Sequence, residues 1–169
     1  MIKVMLALLT GAQMRKSAYT AFAIFFVGLL SLVSVFSAGN LAKQKPIIVR
    51  VELGSKQNEL RFSPSDLTFE TGKLYRLILT NPSKKKHYFT SPGLSAMVYT
   101  RKVQIVADGT TRAEIKGAIR EIEVYPGGVA EWWFVPIATG KLTDLHCNIQ
   151  DADGRTHAAK GMVGTIVIK

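Results

Sequence analysis

The sequence predicts an all-β protein, an antiparallel sandwich or barrel, preceded by a single apolar segment. Short runs of β-branched and aromatic residues recur along most of the chain, and turn residues separate them about every eight to twelve positions. Apolar residues almost nowhere repeat at the spacing of an amphipathic helix. A length of 169 residues with 47% hydrophobic residues allows one folded domain with a tail and excludes a disordered composition.

The first half of the predicted domain contains five strands separated by polar turns. Alternation in PIIVRVEL defines the first strand, Pro64 separates the second from the third, and the Thr71-Gly72 turn leads into the fourth. A short extended piece follows the polar turn Asn81-Pro82-Ser83. These five predicted strands are Pro46–Leu53, Glu59–Ser63, Leu67–Glu70, Leu74–Thr80 and His87–Thr90.

The second half continues the same pattern, with turns at Asp108-Gly109 and at Pro126-Gly127-Gly128. In the cluster Trp132-Trp133-Phe134 we expect alternate side chains on opposite faces of a strand, half of them in the core. Residues Asp151–Lys160 are expected to form a loop or one short turn. The predicted strands here are Val98–Ala107, Ala113–Ile119, Glu121–Val124, Val129–Val135, Gly140–Asn148 and Gly164–Lys169.

The amino-terminal segment is typical of an export signal or a membrane anchor. No charged residue occurs from position 17 to position 42, and Arg15 and Lys16 directly precede this stretch. A basic start, an apolar centre and small residues form the layout of a cleaved secretory signal, whereas residues 17–38 are also long enough for a retained bilayer span. Both interpretations stay open, and both place the rest of the chain outside the cytoplasm. We therefore assign residues 1–39 to a signal or anchor, 40–46 to a linker and 47–169 to the domain.

Few residues are available for metal chemistry, since the chain has one cysteine, Cys147, and three histidines. A single cysteine excludes internal disulfides and zinc or iron–sulfur sites that need several thiolates from one chain. Because an unpaired cysteine in an exported domain is prone to oxidation, we expect Cys147 to be protected by burial or by a metal. The composition therefore allows, at most, one compact metal site.

Candidate metal ligands occur at two places far apart in the sequence. His87 follows a strong predicted strand and three lysines, while Cys147 precedes His157 and Met162 near the carboxyl terminus. Two imidazoles and a thiolate with a weak axial thioether are the ligands of blue-copper electron-transfer sites. Taken singly, His87 could be a surface histidine, Cys147 a core thiol and Met162 a packing residue. The occurrence of all these residues in the order found in blue-copper sites favours copper.

Residues from about 59 to 169 resemble the cupredoxin family of the plastocyanin and azurin type. The resemblance implies a Greek-key β-sandwich or barrel, a single type 1 copper, electron transfer without substrate chemistry, and a monomer. It assigns the ligands as His87, Cys147, His157 and Met162. The matching segments are Phe62-Ser63-Pro64 with Gly72, Leu79-Thr80-Asn81 with His87, Pro126-Gly127, Glu131-Trp132-Trp133-Phe134 with Gly140, Cys147, and His157-Ala158-Ala159-Lys160-Gly161-Met162-Val163-Gly164.

Three features depart from that family pattern. Nine residues, 148–156, separate Cys147 from His157, where cupredoxins usually have a much shorter loop. The longer loop costs only about 1 kcal/mol of closure entropy, and we expect it to fold over the site or into solvent. Tyr88 occupies a position where asparagine is common, so the groups around the ligands must differ. Residues 91–120 have no plastocyanin counterpart and are expected to add a hairpin beside the site.

Two other functions remain open for the same ligands. The domain could be a periplasmic copper chaperone or storage protein, or a copper-free cupredoxin-like binding module. An oxidase or nitrite reductase would need about three more histidines for a catalytic copper, and only His146 is left once His87 and His157 are used. His146 should point to the face opposite Cys147, as a structural or surface residue. We therefore predict that the protein is not an enzyme.

Positive charge suggests the nature of the partner. The chain carries 22 basic and 12 acidic residues, and a net charge of +7 remains without Lys3, Arg15 and Lys16. The run Lys84-Lys85-Lys86 directly precedes His87, so it could steer docking of an acidic redox protein, or it could simply be a solvated turn. Nucleic-acid binding is not expected of an exported protein, and membrane association would use residues 17–38.

Overall fold

The computed structural model describes residues 43–169, in which eleven strands form two β-sheets. The strands are β1 (Ile47–Leu53), β2 (Phe62–Ser63), β3 (Asp66–Phe69), β4 (Tyr75–Thr80), β5 (His87–Thr90), β6 (Val98–Ala107), β7 (Thr110–Ile115), β8 (Glu121–Val124), β9 (Val129–Pro136), β10 (Gly140–His146) and β11 (Val163–Ile168). One sheet has the order β2-β1-β4-β9-β6-β7, and the other has the order β3-β11-β10-β5-β8. The prediction left a sandwich and a barrel open, and this architecture is a mostly-β sandwich of two sheets.

Two strand pairs are parallel, so the prediction of an antiparallel sandwich is wrong for them. Strand β1 runs parallel to β4, with Ile47 opposite Tyr75, and β3 runs parallel to β11, with Phe69 opposite Ile168. The chain leaves β1 and crosses to the other sheet at β3 before it returns as β4. Because this connection is a crossover and not a hairpin, β1 and β4 enter their shared sheet in the same direction.

The core lies between the two sheets and is built from alternating side chains. Phe69 packs edge-on against Phe134, with ring centroids 5.2 Å apart. Trp132 and Phe134 are buried, whereas Trp133 faces outward between the cationic groups of Arg76 and Lys102, at 5.4 and 5.1 Å. The predicted alternation along β9 is confirmed. Its inward-facing half contributes aromatic area to the core, and its outward-facing Trp133 stacks with cations.

Residues 91–120 contain a helix that the sequence pattern does not predict, followed by a hairpin whose expected place beside the site stays a prediction. Helix α1 (Pro92–Met97) begins at Ser91, whose hydroxyl accepts a hydrogen bond from the Leu94 N–H. Asp144 of β10 anchors the same turn, since it accepts hydrogen bonds from the Ser91 hydroxyl at 2.7 Å and the Gly93 N–H at 2.6 Å. The hairpin β6–β7 extends the edge of the six-stranded sheet through pairing of β6 with β9.

The predicted signal or anchor, residues 1–39, lies outside the described residues. Within residues 43–169, no helix is both long and apolar enough to cross a bilayer. Strand β5 begins at His87 and β10 ends at His146, one residue before Cys147. The two strands belong to the same sheet, where His146 pairs with Thr90. The fold thereby brings the first candidate ligand toward the carboxyl-terminal ones.

Candidate metal centre

Three predicted ligands converge at one end of the sandwich. The Nδ1 atoms of His87 and His157 lie 3.1 Å apart, and Cys147 Sγ lies 3.9 Å from the first and 3.5 Å from the second. At these separations, a point equidistant from the three atoms is about 2 Å from each, which is the length of metal–imidazole and metal–thiolate bonds, about 2.0–2.3 Å. The three atoms are therefore spaced as trigonal ligands of one metal ion.

Met162, the predicted axial ligand, lies in the same part of the structure. Its side chain is fully buried and lies near His87. Its backbone N–H donates to the His157 carbonyl at 2.9 Å, and its carbonyl accepts from the Cys147 N–H at 3.2 Å. Gly161, at φ +100°, ends the short 3-10 helix Ala158–Lys160 and turns the chain into Met162. Local hydrogen bonds thus hold the three carboxyl-terminal residues of the predicted set together.

The polar turn before His87 orients its imidazole. Ser83 Oγ lies 2.9 Å from His87 Nε2, and it can donate its own proton to Asn81 Oδ1 at 2.8 Å or to the Lys85 carbonyl at 2.9 Å. The Asn81 amide in turn donates to the carbonyls of Lys85 and Val124 at 2.7 and 2.8 Å. With Ser83 accepting from Nε2–H, the Nδ1 atom of His87 presents a lone pair to the site.

The long loop between Cys147 and His157 folds over the site, which confirms one of the two arrangements expected for it. A bridge between Gln150 and Thr156 closes the loop into a small hairpin. Its Asp151 Oδ1 lies 3.3 Å from His157 Nε2, and the His157 side chain is 0% exposed. With Asp151 as the acceptor of Nε2–H, the Nδ1 atom of His157 also presents a lone pair. Two lone pairs that face each other at 3.1 Å favour a cation between them.

Burial sets the ionisation of the donor atoms. Desolvation, together with the charges of His157 and Lys85, lowers the pKa of His87 to about 4, so this imidazole is neutral at pH 7. Burial also raises the pKa of the Cys147 thiol above its ordinary value, while the Tyr88 N–H, 3.3 Å from Sγ, acts in the opposite direction. The copper-free thiol is therefore protonated, and metal binding must displace its proton.

Asp151 is ionised and shared among several cations. Its pKa is lowered well below the ordinary value, first by hydrogen bonds from Lys160 and Lys85. Both lysine Nζ atoms lie 2.6 Å from its carboxylate oxygens. Lys160 also pairs with Asp153 at 2.9 Å. The loop is thus tied by ion pairs both to the segment before His87 and to the segment before Met162.

Several residues around the ligands were missed by sequence reasoning. In the turn 81–83, the signal is Asn-Pro-Ser, a pattern in which the asparagine side chain can bond the backbone two residues on. Here the Ser83 N–H donates to Asn81 Oδ1. Asp151, in the long loop, and Gly54, where a Cβ would meet His87, carry no recognisable signal in the sequence. The ring Nδ1 of His146 lies 2.6 Å from the Asp144 carbonyl oxygen, and its structural or surface role stays a prediction.

Comparison with known proteins shows the fold. No family model and no curated protein matches the sequence. A laccase from Pediococcus acidilactici superposes with a TM-score of 0.51 at 11% identity, over 74% of this chain and 27% of the laccase. A multicopper oxidase from Campylobacter jejuni gives 0.49 at 15%, over 75% and 31%. Reduced auracyanin from Roseiflexus castenholzii gives 0.44 at 14%, over 72% and 96%.

The chain thus spans about a third or less of the two oxidases and nearly all of the auracyanin. At these identities the likeness concerns the fold alone. Topology and donor set together define a two-sheet β-sandwich that carries a buried His–Cys–His cluster at one end. The chemistry of that cluster, two buried imidazoles and one buried thiol with a thioether nearby, fits a single type 1 copper ion.

Proposed function

We propose that this protein is an extracytoplasmic electron carrier that binds one copper ion through His87, Cys147, His157 and Met162. Copper held by these donors supplies a one-electron couple between Cu(I) and Cu(II). The observation that carries the proposal is the convergence of the two Nδ1 atoms and Sγ at 3.1–3.9 Å. Thiolate and thioether suit Cu(I) and imidazole suits both oxidation states, so the set serves a reversible couple.

Burial of the donors favours electron transfer over substrate chemistry. His87 is 1% exposed, and Cys147, His157 and Met162 are 0% exposed. A substrate must reach a metal to react with it, whereas an electron can cross a layer of protein atoms. The two imidazoles are also held by hydrogen bonds, His87 to the Ser83 hydroxyl and His157 to the Asp151 carboxylate. A rigid set of ligands changes little between oxidation states, which makes electron transfer fast.

Copper titration of the purified domain tests this function. We expect one equivalent of Cu(II) to give an intense blue or green thiolate absorption, which a reductant bleaches and an oxidant restores without loss of copper. Binding of Cu(I) without a coloured Cu(II) form would instead indicate a chaperone or storage protein. Absence of stoichiometric copper would contradict the proposal and favour a copper-free module. Metal analysis before and after the redox cycle separates these outcomes.

For the partner, we propose an acidic redox protein that docks beside the lysines before His87. The run is less free than its sequence suggests, because Lys85 pairs with Asp151 at 2.6 Å and Lys86 pairs with Glu123 at 2.8 Å. No ion pair of Lys84 occurs among residues 43–169, and its side chain is exposed. Lys84 is therefore the lysine of this run whose charge is most available for long-range attraction.

Charge reversal at Lys84 tests this docking proposal. We expect Lys84→Glu to lower the bimolecular rate of electron transfer with an acidic redox protein by about threefold to tenfold at low salt, and less at high salt. The matched control is Lys73→Glu, since Lys73 is also exposed but precedes the opposite end of β4. Stopped-flow measurements across ionic strength give the rates. Equal rates for the two variants would contradict docking at this place.

A further inference from the structure

The carboxylate of Asp151 lies against the Nε2 edge of His157, one of the proposed copper ligands. Its Oδ1 lies 3.3 Å from His157 Nε2, and its side chain is 17% exposed, while the His157 side chain beneath it is 0% exposed. The residue belongs to the nine-residue loop between Cys147 and His157. It is therefore a feature of this chain's insertion, placed directly behind a proposed ligand.

Hydrogen bonding at Nε2 decides which nitrogen of His157 is available to a metal. Neutral imidazole carries one N–H, and a carboxylate accepts it at Nε2 and leaves the lone pair on Nδ1. In this structure, Nδ1 is the atom that lies 3.5 Å from Cys147 Sγ. A carboxylate that accepts the N–H of a metal-bound imidazole also increases the basicity of that imidazole.

The carboxylate is held in place rigidly. Lys85 contacts Oδ1 and Lys160 contacts Oδ2, both at 2.6 Å, and the Asp151 N–H donates to the Arg155 carbonyl at 3.0 Å. The two lysines offset part of the negative charge of Asp151. The carboxylate, however, is the group that contacts the His157 imidazole. A negative charge at this position stabilises the more positive metal ion.

From these contacts we infer that Asp151 is a positioning residue of the copper centre, which fixes the His157 ring through Nε2–H and favours Cu(II) over Cu(I). The redox part of this inference, the preference for Cu(II), rests on the proposed function. The orientation of His157 does not depend on copper and can be measured without it. The two parts therefore fail in distinguishable ways.

The redox part is tested with Asp151→Asn in the copper-loaded protein. Asparagine can still accept the Nε2–H bond but removes the charge, so we expect Cu(II) to lose about tenfold in stability relative to Cu(I), which raises the midpoint potential by about 59 mV for a one-electron couple. Asp153→Asn is the matched control, because Asp153 lies in the same loop and pairs with Lys160 but not with His157. Equal potentials in the two variants would overturn the inference.

The orientation part is tested with Asp151→Ala in the copper-free protein. Nitrogen-15 NMR of the histidine rings is expected to show His157 with its proton on Nε2 in the wild type and in Asp153→Asn, and a mixture of tautomers in Asp151→Ala. An unchanged tautomer in Asp151→Ala would overturn the inference even in a protein that binds no copper. Far-ultraviolet circular dichroism verifies that each variant is folded.

Discussion

Replacement of Cys147 by serine is expected to abolish the visible absorption of the copper-loaded protein and to weaken copper binding by more than about 100-fold. Loss of a group behind a ligand already costs about 10–100-fold in metal affinity, and here the ligand itself is lost. Cys147 Sγ is the atom that completes the triangle with the two Nδ1 atoms. The serine hydroxyl is a harder and weaker donor than the thiolate, and soft sulfur ligands are the ones that select Cu(I).

The fold should survive this substitution. Cys147 is fully buried, and serine is of similar shape, with a hydroxyl that can accept the Tyr88 N–H that Sγ now accepts at 3.3 Å. We expect a loss of about 1–2 kcal/mol in the free energy of unfolding from burial of the hydroxyl. Urea unfolding and copper titration measure the two quantities separately.

A neighbouring residue gives the control for the serine variant. His146→Gln alters the adjacent position, whose ring contacts the Asp144 carbonyl and not the ligand cluster. It should leave the absorption and the copper stoichiometry unchanged. Retention of the visible band in Cys147→Ser, or its loss in His146→Gln, would contradict the assignment of Cys147 as the thiolate ligand.

The strands could be predicted because their pattern is local, whereas their partners could not. Alternation from Ile47 to Leu53 and the turn before Tyr75 locate β1 and β4 to within one residue of the observed bounds. Their parallel pairing depends on a crossover through the other sheet. Nothing in the sequence of either strand indicates this crossover. Helix α1 was missed although Ser91-Pro92 is a favourable start, because six residues are too few to show helical periodicity.

The candidate site was predicted by residue type, and its surroundings were not. Thiol, imidazole and thioether are rare enough in this chain that their order alone suggests copper. The groups behind the imidazoles, Ser83 and Asp151, are common polar residues in loops. Their roles depend on loop conformation: Ser83 acts through a turn that Asn81 closes, and Asp151 acts through a hairpin held by lysines. The type of a residue does not indicate the loop conformation that places its side chain behind a ligand.

Substitution of Gly54 should disturb the site strongly, although Gly54 is not itself a ligand. It follows β1 at φ +76°, and a Cβ built on it would lie 2.7 Å from His87 Nε2 and 2.9 Å from Ser83 Cβ. These distances are too short for real contacts, so Gly54→Ala must displace the imidazole and its hydrogen-bond partner together. We expect copper affinity to fall by at least about tenfold, since the Nδ1 atom of His87 leaves its place opposite Cys147 Sγ.

Backbone strain and displacement of His87 are separated by a second glycine. Gly72 has φ +73°, nearly the same as Gly54, but a Cβ there would meet nothing within 4 Å. Both alanine variants should lose about 1–2 kcal/mol of stability from the left-handed backbone, and Gly54→Ala should lose about 1–3 kcal/mol more from overpacking. Only Gly54→Ala should change copper affinity and the visible spectrum. Both variants carry the same backbone strain, but only Gly54→Ala places a methyl group against the His87 imidazole. Equal copper binding by the two variants would therefore contradict the assignment of His87 as a ligand.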